Sequence, residues 1–257
     1  MSSPFEQLYS LTFPVAAISG SVPDESLMVF GSSFFSKSHG CFVTAGHVLE
    51  TAIQVVHESG YLLVVGQPDF SLDQAKWVYA AIEHLSVHGL YDVGVFGTRD
   101  PVFTISEQSI SSSLLDAMSE IAAIGFAHAV DAENRSAEVR AFRSSIVGMR
   151  PFRAGRAELL CYELQVQAPR GLSGAPVFRF GDYTSVEGMV IGNQTIEMIT
   201  GETEETVDDR KHEIHTVTDR LNLGIAITSP QLEAVLGDSG NFHSLAIDDQ
   251  SVNLLAK

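Results

Sequence analysis

Gly40-Cys41-Phe42-Val43-Thr44-Ala45-Gly46-His47-Val48-Leu49 is the stretch from which the fold is read. Cys41–Thr44 is a short apolar run closed by small residues, which marks a strand of a β structure with tight connections. The same pattern recurs on both sides. Candidate strands are Phe13–Ile18, Val29–Phe35, Cys41–Thr44, Tyr61–Val65, Trp77–Ile82 and Asp92–Phe96. A second set runs Glu120–Phe126, Glu138–Val147, Leu159–Gln167, Ala175–Phe180, Val186–Ile191 and Leu223–Ile227. All are rich in Val, Ile, Phe and Tyr and separated by turn residues, so the chain reads as an all-β sandwich or barrel. Long helical periodicity is nearly absent. The Ser-rich stretch 106–116 divides the sets into two units of similar size. A helix is expected over Pro230–Leu236, with Ser229 capping its start, Pro230 in its first turn and Gly237 at its stop.

Composition narrows the functions open to the chain. With 257 residues, 45% of them apolar, it is long enough for a substantial core. Its 15 Lys and Arg stand against 32 Asp and Glu, a net charge of −17. Binding to nucleic acid or to an anionic membrane surface relies on cationic side chains, so both are excluded as partners. No apolar run reaches the roughly 18 residues that span a bilayer. The N-terminal MSSPFEQLYS lacks the basic and apolar regions of a secretory signal. Two cysteines, Cys41 and Cys161, cannot build a disulfide framework, which points to a reducing compartment, the cytoplasm. Glu197–Glu213 holds Glu202, Glu204, Glu205, Asp208 and Asp209. Like charge at that density is expected to repel itself into a mobile exposed loop. The stretch 239–257 reads as a polar, loosely held tail.

Three segments carry chemistry. They are Gly40–Leu49 with His47, then Tyr91-Asp92-Val93-Gly94-Val95-Phe96, and Arg170-Gly171-Leu172-Ser173-Gly174-Ala175-Pro176-Val177. A serine hydroxyl is a weak nucleophile at neutral pH and needs a base to take its proton as it attacks. An imidazole accepts that proton and returns it to the leaving group, provided a carboxylate holds its other nitrogen. Asp69, Asp73 and Asp100 also stand in this half, but none precedes an alternating run like Val93–Phe96. An esterase nucleophile elbow wants Gly-x-Ser-x-Gly between strand and helix, whereas Ala175 replaces the second glycine and Pro176 begins a strand.

The order His47, Asp92, Ser173 resembles the chymotrypsin/trypsin-like serine protease family, and is most similar to its compact, disulfide-free bacterial members. Val186-Glu187-Gly188-Met189-Val190-Ile191-Gly192 is similar to the strand lining that family's substrate cleft. Leu223–Ile227 with the following helix is similar to its closing strand and C-terminal helix. The resemblance implies two six-stranded antiparallel β-barrels packed face to face, with a short C-terminal helix. Residues 1–110 would carry the His and Asp, residues 111–238 the Ser and the oxyanion hole, and 239–257 a tail. It implies a serine endopeptidase acting on polypeptides without metal or cofactor. Ser173 would be the nucleophile, His47 the base, Asp92 its orienter, and the N–H groups of Gly171 and Ser173 the oxyanion donors. Gln167 would lie at the base of the primary pocket, Gly192 and Asn193 would form its wall, and the strand through Ile191 would pair with substrate. A neutral Gln167 speaks against strict Lys or Arg specificity.

Two departures matter. Val48 follows His47, so the disulfide that flanks the histidine in secreted members is missing. Leu172 stands where secreted zymogens place the aspartate that pairs with a newly cut N-terminus. Leucine makes no such pair, so other contacts, or a regulatory partner, must hold the loop. The second reading is a catalytically inactive module of this fold that binds peptide or protein.

Overall fold

The computed structural model describes residues 4–19, 27–69, 76–98, 105–127, 130–131, 136–208 and 211–246. A short helix α1 (Pro4–Leu11) precedes six strands of the first barrel. These are β1 (Phe13–Ile18), β2 (Leu27–Ser36), β3 (Cys41–Thr44), β4 (Leu62–Asp69), β5 (Lys76–His88) and β6 (Gly94–Thr98). Helix α2 (Gly46–Ser59) lies between β3 and β4. Strand order is β5-β4-β1-β2-β3-β6, and antiparallel β5–β6 pairing closes the ring. Its interior is aromatic: Phe13, Phe34, Phe42 and Phe96 are fully buried. Phe42 stacks on Phe96 at 5.0 Å between centroids and meets Phe13 edge-on at 5.3 Å.

The second half begins with β7 (Ser109–Ile110) and β8 (Glu120–Gly125). A two-stranded ribbon, β9 (Val130–Asp131) and β10 (Ser136–Ala137), follows. Then come β11 (Arg140–Ala154), β12 (Ala157–Leu164), β13 (Pro176–Arg179), β14 (Asp182–Asp208) and β15 (Lys211–Thr228). The order β13-β8-β11-β12-β15-β14 closes through β13–β14, so this sheet is also a six-stranded antiparallel ring. The β7 strand adds a short parallel edge to it. Helix α3 (Ser229–Gly237) leaves β15, and β16 (Phe242–Ser244) returns to pair with β5. The two-barrel expectation holds.

Several local expectations do not. Residues 197–213 are not a loop: β14 and β15 pair to the tip, where Asp208 opposes Lys211. Beyond Leu164↔Gly224, β15 has only β14 beside it among the described residues, and the pair continues as a two-stranded arm. At about 3.3 Å per residue, Asn193 to Asp208 spans roughly 50 Å. Alternating Thr, Ile and Val supply the strand pattern that the carboxylates obscure. Helix α2 contradicts the expected lack of helical periodicity, since Val48, Leu49, Ala52 and Val56 form one buried stripe ending at the left-handed cap Gly60. The stretch 238–246 is docked rather than loose, because Gly89 N–H donates to Asn241 O and Phe242 packs on His88. Residues 247–257 lie outside the described ones. Thr228 rather than Ser229 is the N-cap of α3, and the Ser229 hydroxyl donates instead to Ser113 O at 3.2 Å.

Candidate active site

Asp92 and His47 meet at the start of α2. Ala45 occupies the N-cap with no side-chain hydrogen bond, so the first N–H groups of the helix need an outside acceptor. Asp92 supplies it: Oδ1 accepts the His47 N–H at 2.8 Å while Oδ2 contacts His47 Nδ1 at 2.7 Å. One carboxylate therefore caps the helix and orients the ring. Burial alone would push the His47 pKa down; the hydrogen bond and charge of Asp92, with Glu50, outweigh it and raise the pKa. With the Nδ1 proton held by Asp92, Nε2 is the ring atom left to accept another.

The loop carrying Asp92 is itself held from two sides. Buried His88 accepts the Leu90 and Tyr91 N–H groups on Nδ1 at 3.2 and 3.3 Å. From the second barrel, Ala154 O accepts the Asp92 N–H at 3.1 Å. Asp69 ends β4, far along the strand from this loop, and Asp73 and Asp100 lie outside the described residues.

Ser173 sits in a pair of linked turns. Leu172 N–H donates to Pro169 O at 3.1 Å with Gly171 at φ +92°, and Ala175 N–H donates to Leu172 O at 3.0 Å with Gly174 at φ +84°. Both are type II turns, which require positive φ at their third residue and hence glycine there. Leu172, shared by the two, is fully buried in the second barrel's apolar core with Ile121, Tyr162 and Val177. The Ser173–Gly174 peptide is bonded at both ends: Ser173 O accepts from Ser32 N at 2.8 Å and Gly174 N–H donates to Val190 O at 2.8 Å. Among the described residues the N–H groups of Gly171 and Ser173 have no acceptor.

The structure thus joins His47 to Asp92 and brings the Ser173–Gly174 backbone close to Ala45 and Val48, on either side of His47. A Cβ placed on Gly31 would fall 2.6 Å from Val48 Cγ2 and 2.8 Å from Ser173 O, so the neighbour of His47 and the Ser173 carbonyl share one crowded spot. A Cβ on Gly174 would lie 3.1 Å from Ala45 N, two residues before His47. The Ser173 Oγ itself makes no hydrogen bond among the described residues.

Two cavities flank this junction. One of about 550 Å³ is lined by His47, Asp92, Glu50, His88, Arg156 and His243, among others. The other, about 500 Å³, is lined by Ser173, Gln167, Ala168, Arg170, Gly192 and Asn193, with Pro169. Gln167, Gly192 and Asn193 therefore share a cavity with Ser173. Ile191 does not line it; it is buried at a bulge between Val190 and Gly192. Asn193 is more than the wall expected of it: its amide crosses to the opposite side. Its Oδ1 accepts Ala168 N–H and its Nδ2 donates to Ala168 O, both at 2.6 Å. Ser32 was missed altogether, although Gly31 in a strand interior is a signal of close backbone approach. No group of three or more metal-ligating side chains occurs among the described residues.

No family model and no curated protein matches the chain by sequence. Solved structures match it by fold. The Rv3671c protease from M. tuberculosis, in its active form, is similar at TM-score 0.57 and 12% identity, over 93% of this chain and 85% of that one. The MamO protease domain from Magnetospirillum magneticum gives 0.56 and 8%, over 88% and 96%. Deg5 gives 0.53 and 15%, over 73% and 81%. These neighbours are trypsin-like serine proteases, and the chain has their fold.

Proposed function

We propose that the chain is a serine endopeptidase. The observation that carries this reading is the turn at Gly171–Ser173, with two N–H groups unclaimed, docked against the helix start where Asp92 holds His47. Ser173 Oγ attacks the substrate carbonyl as its proton passes to His47 Nε2. The carbonyl oxygen gains charge and accepts the Gly171 and Ser173 N–H groups, each donor contributing about 3–4 kcal/mol. His47, now cationic and steadied by Asp92, protonates the leaving amine. Water then hydrolyses the acyl-enzyme by the same proton path in reverse.

Among the described residues the cavity beside Ser173 has no carboxylate in its lining; Gln167 and the Ala168-bound Asn193 give it neutral polar walls, and Arg170 adds a cationic one. A lining with a cationic group and no anionic one disfavours Lys or Arg at P1 and admits a neutral or acidic residue. Both thiols are free, burial raising Cys41 to about 11 and Cys161 to about 12, and free thiols fit a cytoplasmic setting. No helix of the described residues is long and apolar enough to cross a membrane.

The test is covalent labelling with a fluorophosphonate, read by mass spectrometry of the Ser173 peptide, with Ser173→Ala as control. Labelling of the wild type alone is expected. The unformed bond between Ser173 Oγ and His47 favours one other reading, a peptide-binding module with an inert site. A native protein that captures extended peptides but resists the probe between about pH 6 and 9 would establish that reading instead.

A further inference from the structure

The two N–H groups proposed to hold the oxyanion belong to Gly171 and Ser173, and the carbonyls of those same two residues are held by one residue, Ser32. Its hydroxyl donates to Gly171 O at 2.9 Å, and its backbone N–H donates to Ser173 O at 2.8 Å. The hydroxyl also accepts the Phe126 N–H at 2.9 Å, and Ser32 O accepts the Thr44 hydroxyl at 2.7 Å. Ser32 is completely buried. With Phe126 supplying a proton to the hydroxyl oxygen, the hydroxyl's own proton is directed to Gly171 O. The residue is thereby fixed by three segments and has no second orientation to adopt.

Peptide units are planar, so holding a carbonyl holds the whole unit. Ser32 fixes the 171–172 and 173–174 units. The 172–173 unit, which carries the Ser173 N–H, lies between them; its own carbonyl accepts the Ala175 N–H, and buried Leu172 anchors its start. The Gly171 N–H is set from the other side by the Pro169–Leu172 turn, and Gly171 itself packs tightly against Phe126, leaving no room for a side chain. The donors are thus aimed by contacts made in the uncut chain. The ion pair that an aspartate in place of Leu172 makes once a secreted zymogen is cut is replaced by a hydroxyl from β2 of the other barrel.

We infer that Ser32 is the positioning residue for the oxyanion donors, its side chain holding the Gly171–Ser173 loop in its donor-forward form without proteolytic activation. The inference rests on the proposed hydrolytic reading. Ser33 is the natural control: it is equally buried, and its hydroxyl donates to Phe13 O at 3.0 Å within the first barrel.

Ser32→Ala, Ser32→Cys and Ser33→Ala would be compared in the full chain by steady-state kinetics on a p-nitrophenyl ester and by amide NMR with glycine- and serine-selective ¹⁵N labelling. Ser32→Ala is expected to lower kcat roughly 10- to 100-fold with KM within about twofold, since misaimed donors act on the transition state alone. Ser32→Cys, similar in size with a weaker donor, is expected to fall between, and it serves if the alanine variant does not fold. Ser33→Ala is expected to lose a similar amount of thermal stability yet keep kcat. The Gly171 and Ser173 cross-peaks are expected to move in the Ser32 variants and not in Ser33→Ala. Unmoved cross-peaks overturn the inference whatever the rates, as does a kcat equal to that of Ser33→Ala. A wild type that neither hydrolyses the ester nor takes the phosphonate sinks the protease reading separately, and the cross-peaks still decide what Ser32 does.

Discussion

Asp92→Asn is the most discriminating substitution, because one side chain serves both the fold and the proposed chemistry. The carboxylate accepts twice from His47, at 2.8 Å from the backbone N–H and at 2.7 Å at Nδ1. Asparagine can keep the first bond through its carbonyl oxygen, so the helix cap survives and the folding cost stays near 1 kcal/mol. It cannot keep the second in the same sense. Its NH₂ group faces Nδ1 and asks that atom to accept, which moves the ring proton to Nε2 and removes the base. The expected loss in acylation rate is about 10³- to 10⁴-fold. The assay is the second-order rate constant for fluorophosphonate labelling between pH 5 and 9, beside thermal melts of both proteins. Asp92 raises the His47 pKa, so the wild-type acid limb should lie above the ordinary value of 6.5. The sign for stability follows. A histidine whose folded pKa is raised stabilises the fold fully below its unfolded pKa, and this is lost as pH rises through the folded one. The melting difference between wild type and Asp92→Asn should therefore be widest below pH 6.5 and narrow above the acid limb. Labelling of Asp92→Asn within threefold of wild type would refute the assignment of His47 as a base held by Asp92.

Three further outcomes are expected. Gly171→Ala meets both a φ of +92° and the carbonyl of Phe126, so at least 1–2 kcal/mol of strain should appear as a lower urea midpoint, with kcat lost more steeply than stability. Leu172→Asp, which restores the zymogen residue without its partner, buries a carboxylate among Ile121, Tyr162 and Val177 and should cost about 3 kcal/mol or more, read by denaturant titration. Replacing 199–218 by a two-residue turn should leave the melting temperature and ester hydrolysis within error of wild type, because among the described residues the arm beyond Gly224 pairs only with itself; a drop in either would show that it braces the barrel.

Strands such as Phe13–Ile18 and Cys41–Thr44 were legible because each alternates cleanly and ends at turn residues. The α2 helix was not, although Val48, Leu49, Ala52 and Val56 mark its buried face. Its opening Gly46 and His47 are poor helix formers and its Val55-Val56 pair reads as strand. In the acidic arm, the density of like charge masks the strand propensity of its Thr, Ile and Val residues. Cross-strand hydrogen bonding wins there even with Glu205 opposite Glu213. His47, Asp92, Gly171 and Ser173 stand in short motifs and could be singled out from sequence. Ser32 and the crossing amide of Asn193 could not, since both depend on partners 139 and 25 residues away. Their chemistry exists only after the barrels meet.

The peptide following Ser173 is tied by its oxygen to one half of the molecule and by its nitrogen to the other. Neither half can part from its companion without first unfastening the proposed nucleophile. Heat, denaturant or a prying ligand would thus silence the proposed activity at the outset of separation, before any helix or strand is lost, and residual hydrolysis becomes a gauge of how firmly the halves are joined.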